Sequence, residues 1–145
     1  MLRLECSSDG GLRLCVTDRY EVAPGSDPRP TFAIATGALR LRLVDDAGVG
    51  VPGVQLRWRE DSTSRAGGAL SDTDGSVARR IEAGTFRVQC LPRSLQSEQA
   101  LDAFRREHGD DPDALERLYV DLGIVTVLPG DESPRSITLP PGYER

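Results

Sequence analysis

An alternation of apolar and polar residues with a period of two is the feature that most constrains the fold of this chain. Leu39, Leu41 and Leu43 alternate with arginines, and the stretch from Val54 to Trp58 repeats the pattern. Such alternation is typical of strands with one buried face. A cluster of glycine and proline residues separates the two stretches at positions 45–53, where it favours a reversal of the chain. The sequence therefore predicts two neighbouring strands joined by a tight turn.

Shorter segments of the same character follow one another along the chain. The predicted strands lie at 2–6, 12–16, 32–35, 77–81, 85–91, 124–128 and 136–139. Short strands separated by turns every 8 to 12 residues or so indicate an antiparallel sandwich or barrel. The predicted fold is mainly β, an antiparallel β-sandwich. Its strands come from residues 1–93 and 124–140 of one domain that spans residues 1–145.

Residues 94–123 break this rhythm and are predicted to form an acidic helical insert. Apolar residues recur there at helical spacing twice, first around Leu101 and then from Leu115 to Leu122. Gly109 and Gly123 are placed where they could end the two helices. The prediction is an αα-hairpin inserted in the sandwich. The insert holds eight acidic residues against three arginines, which accounts for the whole net charge of −5.

The remaining residues are electrically balanced, with 15 acidic residues and 15 arginines and no lysine. No net basic field therefore favours nucleic acid or an anionic membrane surface. No apolar run approaches the ~18 residues of a membrane span, and the start of the sequence lacks the segments of a signal peptide. We expect a cytoplasmic protein without a membrane span, or one exported without a signal peptide as part of a larger assembly.

The chain has three cysteines, Cys6, Cys15 and Cys90, and an odd number argues against a disulfide framework. In a hairpin of 2–6 with 12–16, pairing of the two apolar faces sets even positions beside even ones and places Cys6 and Cys15 on opposite faces. Cys90 continues an apolar alternation, so it is predicted to be a small buried residue. We expect three free thiols in a reducing compartment.

Four segments in residues 38–91 occur in the order of a known family. They are LRLVDDAG at 41–48, VPGVQL at 51–56, SDTDGSV at 71–77 and AGTFRV at 83–88. This order resembles the carboxypeptidase regulatory-like, or transthyretin-like, β-sandwich modules. The resemblance implies a module that accompanies other domains as a binding or folding unit.

Catalytic members of related families carry residues that this chain lacks. The transthyretin-like hydroxyisourate hydrolases use histidines, an arginine and a terminal Tyr-Arg-Gly-Ser, whereas this chain has His108 alone and ends Pro-Gly-Tyr-Glu-Arg. The iron site of the intradiol dioxygenases needs two histidines. No nucleophile elbow, phosphate loop or zinc spacing occurs, and Asp72–Gly75 is predicted to be a turn rather than a calcium loop. The sequence predicts no catalytic residue, no cofactor and no metal.

A second resemblance covers residues 94–140. Their order is similar to a degenerate LysM peptidoglycan-binding module, although the asparagine-rich loop of that family is missing. It implies an alternative function, a peptidoglycan- or carbohydrate-binding module. In that case Trp58 could be a platform for sugars, but its phase with Val54 and Leu56 predicts a core residue. An unrecognised hydrolase is the third alternative.

The function we expect from the sequence is a non-enzymatic protein-interaction module, an adaptor or structural component. Modules of the transthyretin-like kind occur beside the spike and effector proteins of bacterial contractile injection and type VI secretion systems, so a secretion spike or effector is the expected partner. Two surfaces are candidates for contact with it, one acidic and one rich in arginine. Their predicted binding residues are Asp102, Asp110, Asp113, Arg40, Arg42, Arg57 and Arg59. The sequence leaves the oligomeric state open.

Overall fold

The computed structural model describes residues 4–7, 13–16, 35–61, 65–109, 111 and 113–144, with side chains from residue 35 onward. The described residues form nine β-strands and one α-helix, with short 3₁₀ helices at Arg93–Leu95, Glu116–Leu118 and Pro141–Glu144. The strands are β1 (Leu4–Ser7), β2 (Arg13–Val16), β3 (Thr36–Val44), β4 (Gln55–Arg59), β5 (Ala66–Leu70), β6 (Ser76–Glu82), β7 (Gly84–Cys90), β8 (Val120–Val127) and β9 (Pro134–Thr138). The helix is α1 (Glu98–Glu107).

The strands form three sheets. β1 and β2 make a two-stranded sheet, a second sheet has the order β6-β3-β9, and a third has the order β5-β4-β7-β8. The apolar faces of the second and third sheets contribute to one continuous core, in which Leu41 and Leu43 meet residues such as Leu56, Trp58 and Val88. The prediction of a mainly β protein is confirmed. Two sheets with one shared core are the arrangement found in β-sandwiches.

The period-two pattern that predicted the central strands agrees with their burial. On β3, Leu39, Leu41 and Leu43 are buried while Arg40 and Arg42 are exposed. The two faces of a strand differ in this way because successive side chains point to opposite sides. The apolar half of each strand thus builds the core and leaves the arginines on the outer surface.

One pairing departs from the predicted all-antiparallel arrangement. β3 pairs antiparallel with β6 on one side but parallel with β9 on the other, with Arg42 opposite Ser136. Parallel neighbours need a long crossover connection, and here the chain between them passes through the four-stranded sheet. The second sheet is therefore mixed, and the prediction of an entirely antiparallel sandwich was wrong at this edge.

The N-terminal hairpin has the predicted register. Cys6 lies opposite Leu14 and Cys15 lies opposite Glu5, so even positions pair with even ones. Cys90 is buried and free, as its place in the alternation predicted. Apart from Ala35, which is not in a strand, the predicted strand at 32–35 lies outside the described residues.

The predicted second helix of the insert is absent from the described residues, and the αα-hairpin was wrong in this respect. Only Glu116–Leu118 form a single 3₁₀ turn, and β8 already begins at Val120. The β-branched residues of β8 pair with β7, and that long-range pairing outweighs the local helical spacing. Gly123 has a positive φ, as a helix end would need, but it lies at a bulge in β8 where the register shifts.

The first predicted helix is present as α1. The Ser97 hydroxyl accepts a hydrogen bond from the backbone N–H of Ala100 at 3.1 Å and caps the helix start. The helix ends at His108 without a left-handed Gly109. Leu101 packs in a small second cluster with Leu91 and Leu95, which follow β7. Neither α1 nor any other described helix is long and apolar enough to span a membrane.

Candidate functional site

The arginines that the sequence grouped together lie on two different outer faces. Arg40 and Arg42 project from β3 in the three-stranded sheet, whereas Arg57 and Arg59 project from β4 in the four-stranded sheet. Because the two sheets meet through their apolar sides, these faces point away from each other. The predicted single arginine surface is therefore two surfaces, and their charge balance decides between them.

Arg57, on the outer face of the four-stranded sheet, uses all three of its side-chain nitrogens in hydrogen bonds. Its guanidinium binds Glu116 through two hydrogen bonds of 2.6 and 2.7 Å, and its Nε donates to Gln89 at 3.0 Å. The guanidinium carbon also lies 3.3 Å from the centre of the Tyr119 ring. The hydrogen bond to Glu116 raises the pKa of Arg57, and the same bond lowers the pKa of Glu116. This arginine holds the 3₁₀ segment against the sheet.

Arg87 is the next arginine on this face, opposite Arg59 on the neighbouring strand. It donates to Asp121 at 2.7 Å and lies 3.5 Å from a carboxylate oxygen of Asp61. The hydrogen bond to Asp121 raises the pKa of Arg87. The pKa of Asp121 is lowered mainly by a backbone hydrogen bond from Gly123. Arg87 is thus neutralised by nearby acids.

The acidic insert supplies much of this neutralisation. Glu116 and Asp121 belong to the segment that the sequence treated as a separate acidic surface, yet both bind arginines of the four-stranded sheet. Within the insert, Asp111 binds Arg117. Three arginines on this face are matched by three carboxylates, those of Glu116, Asp121 and Asp61. The face has no excess of positive charge.

The outer face of the three-stranded sheet has a different balance. Arg40 and Arg42 on β3 and Arg80 on β6 form what we call the arginine face. Glu132 is the one carboxylate that contacts these arginines among the described residues, at 3.5 Å from Arg40 and 3.4 Å from Arg80. Arg42 makes no ion pair with a described residue. The pKa of Asp74 is lowered to about 2, first by its hydrogen bonding with Asp72 and to a smaller extent by the charge of Arg42, so a second carboxylate lies near this face. Three exposed guanidinium groups share two carboxylates, and the face is locally positive.

The three arginines form a row with regular spacing. The register sets Arg80 opposite Ala38, Arg40 opposite Ala78 and Arg42 opposite Ser76. Arg40 and Arg42 therefore lie one two-residue step apart on β3, roughly 7 Å, and Arg80 lies diagonally across from Arg40 on β6, about 7 to 8 Å away. The residues opposite them are small, which leaves the guanidinium groups prominent on a flat surface. The sequence alone could not place Arg80 beside Arg40, because that neighbourhood depends on the pairing of β3 with β6.

The predicted acidic binding residues do not form a site of this kind in the described part of the chain. Asp102 is exposed on α1 and lies 3.5 Å from Arg105. Asp113 is exposed, and its backbone N–H donates to Asp111. Asp110 lies outside the described residues. A role for these three aspartates in binding stays a prediction.

Trp58 is a core residue, as predicted. It is 6% exposed and packs in the shared core. A buried indole offers no ring face to a sugar, so the carbohydrate-binding alternative loses its aromatic platform. His108 lies exposed at the end of α1, with its ring stacked on Phe104 at 4.2 Å between centres. No group of three metal-ligating side chains occurs among the residues that the structure describes.

The predicted turn at Asp72–Gly75 is confirmed. The Asp72 carboxylate accepts hydrogen bonds from the N–H groups of Asp74 and Ser76, at 3.3 and 2.8 Å. Gly75 has a φ of 81°, and a Cβ there would lie 2.4 Å from the carbonyl oxygen of Leu43. The carboxylates therefore stabilise the reversal before β6, and only glycine fits its tightest point.

A pocket of about 220 Å³ lies beside the end of β3 and is lined in part by Asp45, Asp46, Tyr143 and Glu144. The Asp45 carboxylate accepts hydrogen bonds from the N–H groups of Ala47 and Val49 in its own turn. Glu144 binds Arg93 at 2.9 Å. Asp45 and Glu144 therefore have structural partners, and the lining residues bring together no nucleophile and base.

Comparisons of the chain with protein-family models, with curated proteins and with solved structures find no match. The choice among candidate sites therefore depends on the geometry and charge of this chain alone. On those grounds the arginine face is the strongest candidate.

Proposed function

We propose that this chain is a non-enzymatic protein-interaction module and that the arginine face is its contact surface for an acidic segment of a partner protein. The observation that carries the proposal is the row of Arg40, Arg42 and Arg80 with Glu132 as its one contacting carboxylate. Guanidinium groups bind carboxylates through paired hydrogen bonds. A surface of this charge complements an acidic partner.

Because the chain carries a net negative charge, it can bind an acidic segment only through short contacts with individual arginines. At −5 the whole chain repels acidic molecules, and that repulsion acts over a distance of about 8 to 10 Å at physiological salt. An acidic segment must therefore be held by short contacts with the arginines rather than by a general attraction. Charge complementarity of this kind gives specificity and register more than raw affinity.

The spacing of the row favours an extended segment. Alternate side chains of an extended chain lie on one side, about 7 Å apart, which matches the step from Arg40 to Arg42 and is close to the diagonal from Arg40 to Arg80. A segment with acidic residues at every second position would bring one carboxylate to each guanidinium. The small residues between the arginines, such as Ala78 and Ser76, let its backbone approach the sheet.

The test uses a fluorescein-labelled decapeptide of alternating threonine and glutamate, with binding measured by fluorescence anisotropy at low and high salt. The double variant Arg40→Gln, Arg42→Gln should weaken binding at least tenfold, since a hydrogen bond to a charged group contributes about 1.5 to 3 kcal/mol. Both side chains are exposed, so stability should stay within about 1 kcal/mol. Binding to the wild type should weaken as salt is raised.

The matched control is Arg105→Gln, Arg106→Gln on α1, which makes the same change of net charge at exposed positions. This variant should bind the peptide as the wild type does. Equal losses in the two double variants would show a general charge effect and contradict the proposal. So would an absence of binding to the wild type.

The fold that we propose with this function is a transthyretin-like β-sandwich. The motif segments support it by their positions: the Val-Pro-Gly turn joins β3 to β4, and the Asp72–Gly75 turn precedes β6. On the strength of that resemblance, we propose as its setting an assembly with the spike or effector proteins of a bacterial contractile injection or type VI secretion system. The partner there would supply the acidic segment.

A further inference from the structure

The four-stranded sheet ends in an edge strand without the usual protection. β5 is at the edge of the order β5-β4-β7-β8, and no other described strand pairs with its outer side. Its sequence is Ala-Gly-Gly-Ala-Leu, with no charged residue and no proline. Natural proteins protect free edges with charges, prolines or bulges, because an unprotected edge is a template for another strand.

The other three edges of the two larger sheets are protected. β6 carries Arg79 and Arg80, and β9 begins with Pro134 followed by Arg135. β8 is interrupted by the bulge near Gly123. Among the edges of these two described sheets, β5 alone has none of these features. Its exposure is therefore a specific property of this strand.

The backbone groups that β5 turns outward follow from its pairing with β4. Glu60 donates its N–H to the carbonyl of Arg65, and Ser71 donates its N–H to the carbonyl of Val54. Since hydrogen-bonded positions alternate along an antiparallel pair, Gly67 and Ala69 also bond to β4. The alternate residues Ala66, Gly68 and Leu70 direct their N–H and C=O groups to the free edge.

The outer surface beside this edge has a defined shape and charge. The register sets Ala66 opposite Arg59 and Gly68 opposite Arg57, so little side chain stands between the edge and β4. Leu70 is 61% exposed. Arg59 makes no ion pair with a described residue. Its charge acts on Glu116, but both oxygens of that carboxylate already bind Arg57. A carboxylate reaching over Ala66 would give Arg59 a partner of its own.

From these observations we infer that the free edge of β5 binds an extended segment of a partner protein as a fifth strand. The segment runs antiparallel to β5, with an apolar side chain that covers Leu70 and, four residues further along, a carboxylate that reaches Arg59. Its main chain pairs with the three outward-facing residues of β5. This site lies on the other sheet from the arginine face, and it does not depend on the function proposed above.

A second copy of this chain is a poorer occupant on charge grounds. Its own β5 has no carboxylate to offer Arg59, and two chains of −5 each would repel one another. The partner segment is instead identified by its pattern, an acidic residue and an apolar residue on one side of an extended chain.

The test uses the peptide Ser-Thr-Leu-Thr-Thr-Thr-Glu-Thr-Ser and two N-methylated forms with the same side chains. In the first form the backbone nitrogens of the leucine, the central threonine and the glutamate are methylated. In the second form the methyl groups are on the three threonines that directly follow these residues. Only the first set faces β5 in the inferred pairing. It should lose at least tenfold in affinity, because three main-chain hydrogen bonds are removed, while the second form should bind within about twofold of the parent peptide.

Variants of the protein give the complementary measurement. Leu70→Pro removes an outward N–H without touching the ladder to β4, and Leu70→Ala shortens the side chain but keeps that N–H. Both should weaken parent binding, the proline variant more, whereas Arg40→Gln with Arg42→Gln should leave it unchanged. Equal effects of the two methylation patterns, or no binding of the parent peptide, would overturn the inference. Concentration-dependent dimerisation lost in Leu70→Pro would also overturn it, since the occupant would then be a second copy.

Discussion

Replacement of Gly67 by alanine is predicted to be destabilising for one reason, the position of the Trp58 ring. A Cβ at Gly67 would lie 2.6 Å from both Cε2 and Cζ2 of Trp58 and 2.7 Å from Nε1. Because the ring is buried, it has little room to move. Overpacking of this kind costs about 1 to 3 kcal/mol. Gly67 does not have a positive φ, so its backbone presents no other obstacle to alanine.

The double-mutant cycle with Trp58→Ala isolates that contact. Trp58→Ala alone should cost about 3 to 5 kcal/mol as a large-to-small core substitution. In the Trp58→Ala background the indole ring that causes the clash is absent. Gly67→Ala should then be neutral, or stabilising by about 0.4 to 1 kcal/mol, which is the usual gain from restricting the unfolded chain. The coupling between the two sites is then roughly 1.4 to 4 kcal/mol, which overlaps the range of about 0.5 to 3 kcal/mol for residues in contact.

Urea unfolding followed by circular dichroism measures all four corners of the cycle, since Trp58 is the chain's one tryptophan and its fluorescence is lost in two of them. Trp58→Leu provides a milder background if Trp58→Ala leaves too little stability to measure. A cost of Gly67→Ala that is the same with and without the indole would exclude the contact with Trp58 as its cause. The glycine would then be required for some reason other than Trp58.

Three further predictions concern other parts of the structure. Burial raises the pKa of Cys90 to about 12, so alkylation at pH 8 should leave Cys90 unmodified in the folded protein and modify it fully in urea, as read by mass spectrometry; rapid native labelling would contradict its burial. Gly75→Ala should lower the free energy of unfolding more than Gly48→Ala, because both glycines have a positive φ but only Gly75 would bring a Cβ against neighbouring backbone; equal losses would show that φ alone matters. The pKa of Glu116 is lowered from 4.5 by its hydrogen bond with Arg57, so its contribution to stability is present above pH 4.5 and is lost as the pH falls through the lowered pKa. The difference in unfolding free energy between wild type and Glu116→Gln should therefore become smaller below pH 4.5. A difference that is constant with pH would exclude the ion pair.

The sequence predicted the elements whose pattern is local and missed those that depend on distant partners. The alternation in β3 and β4 is visible in a few residues, and the structure confirms it. Leu115 to Leu122 also has a regular apolar spacing, but part of that segment pairs with β7, which no local pattern reveals. β5 was not predicted because glycine and alanine have low strand propensity; its place is set by pairing with β4 and by Trp58.

The same difference applies to the candidate site. The sequence identified Arg40, Arg42, Arg57 and Arg59 as exposed arginines on strands, but the charge balance of each face depends on long-range ion pairs. Glu116 lies 59 residues from Arg57 and binds it through both oxygens. No spacing rule could show that the acidic insert would neutralise one arginine surface and leave the other positive.

The most direct test of the arginine face is an NMR titration that follows the Nε–H resonances of the arginine side chains. The probe is the decapeptide of alternating threonine and glutamate, added to the labelled wild-type protein. We predict that the resonances of Arg40, Arg42 and Arg80 shift together and saturate at one peptide concentration, while those of Arg105 and Arg106 on α1 stay in place. Shifts confined to the arginines of α1, or uniform small shifts at every arginine, would contradict it.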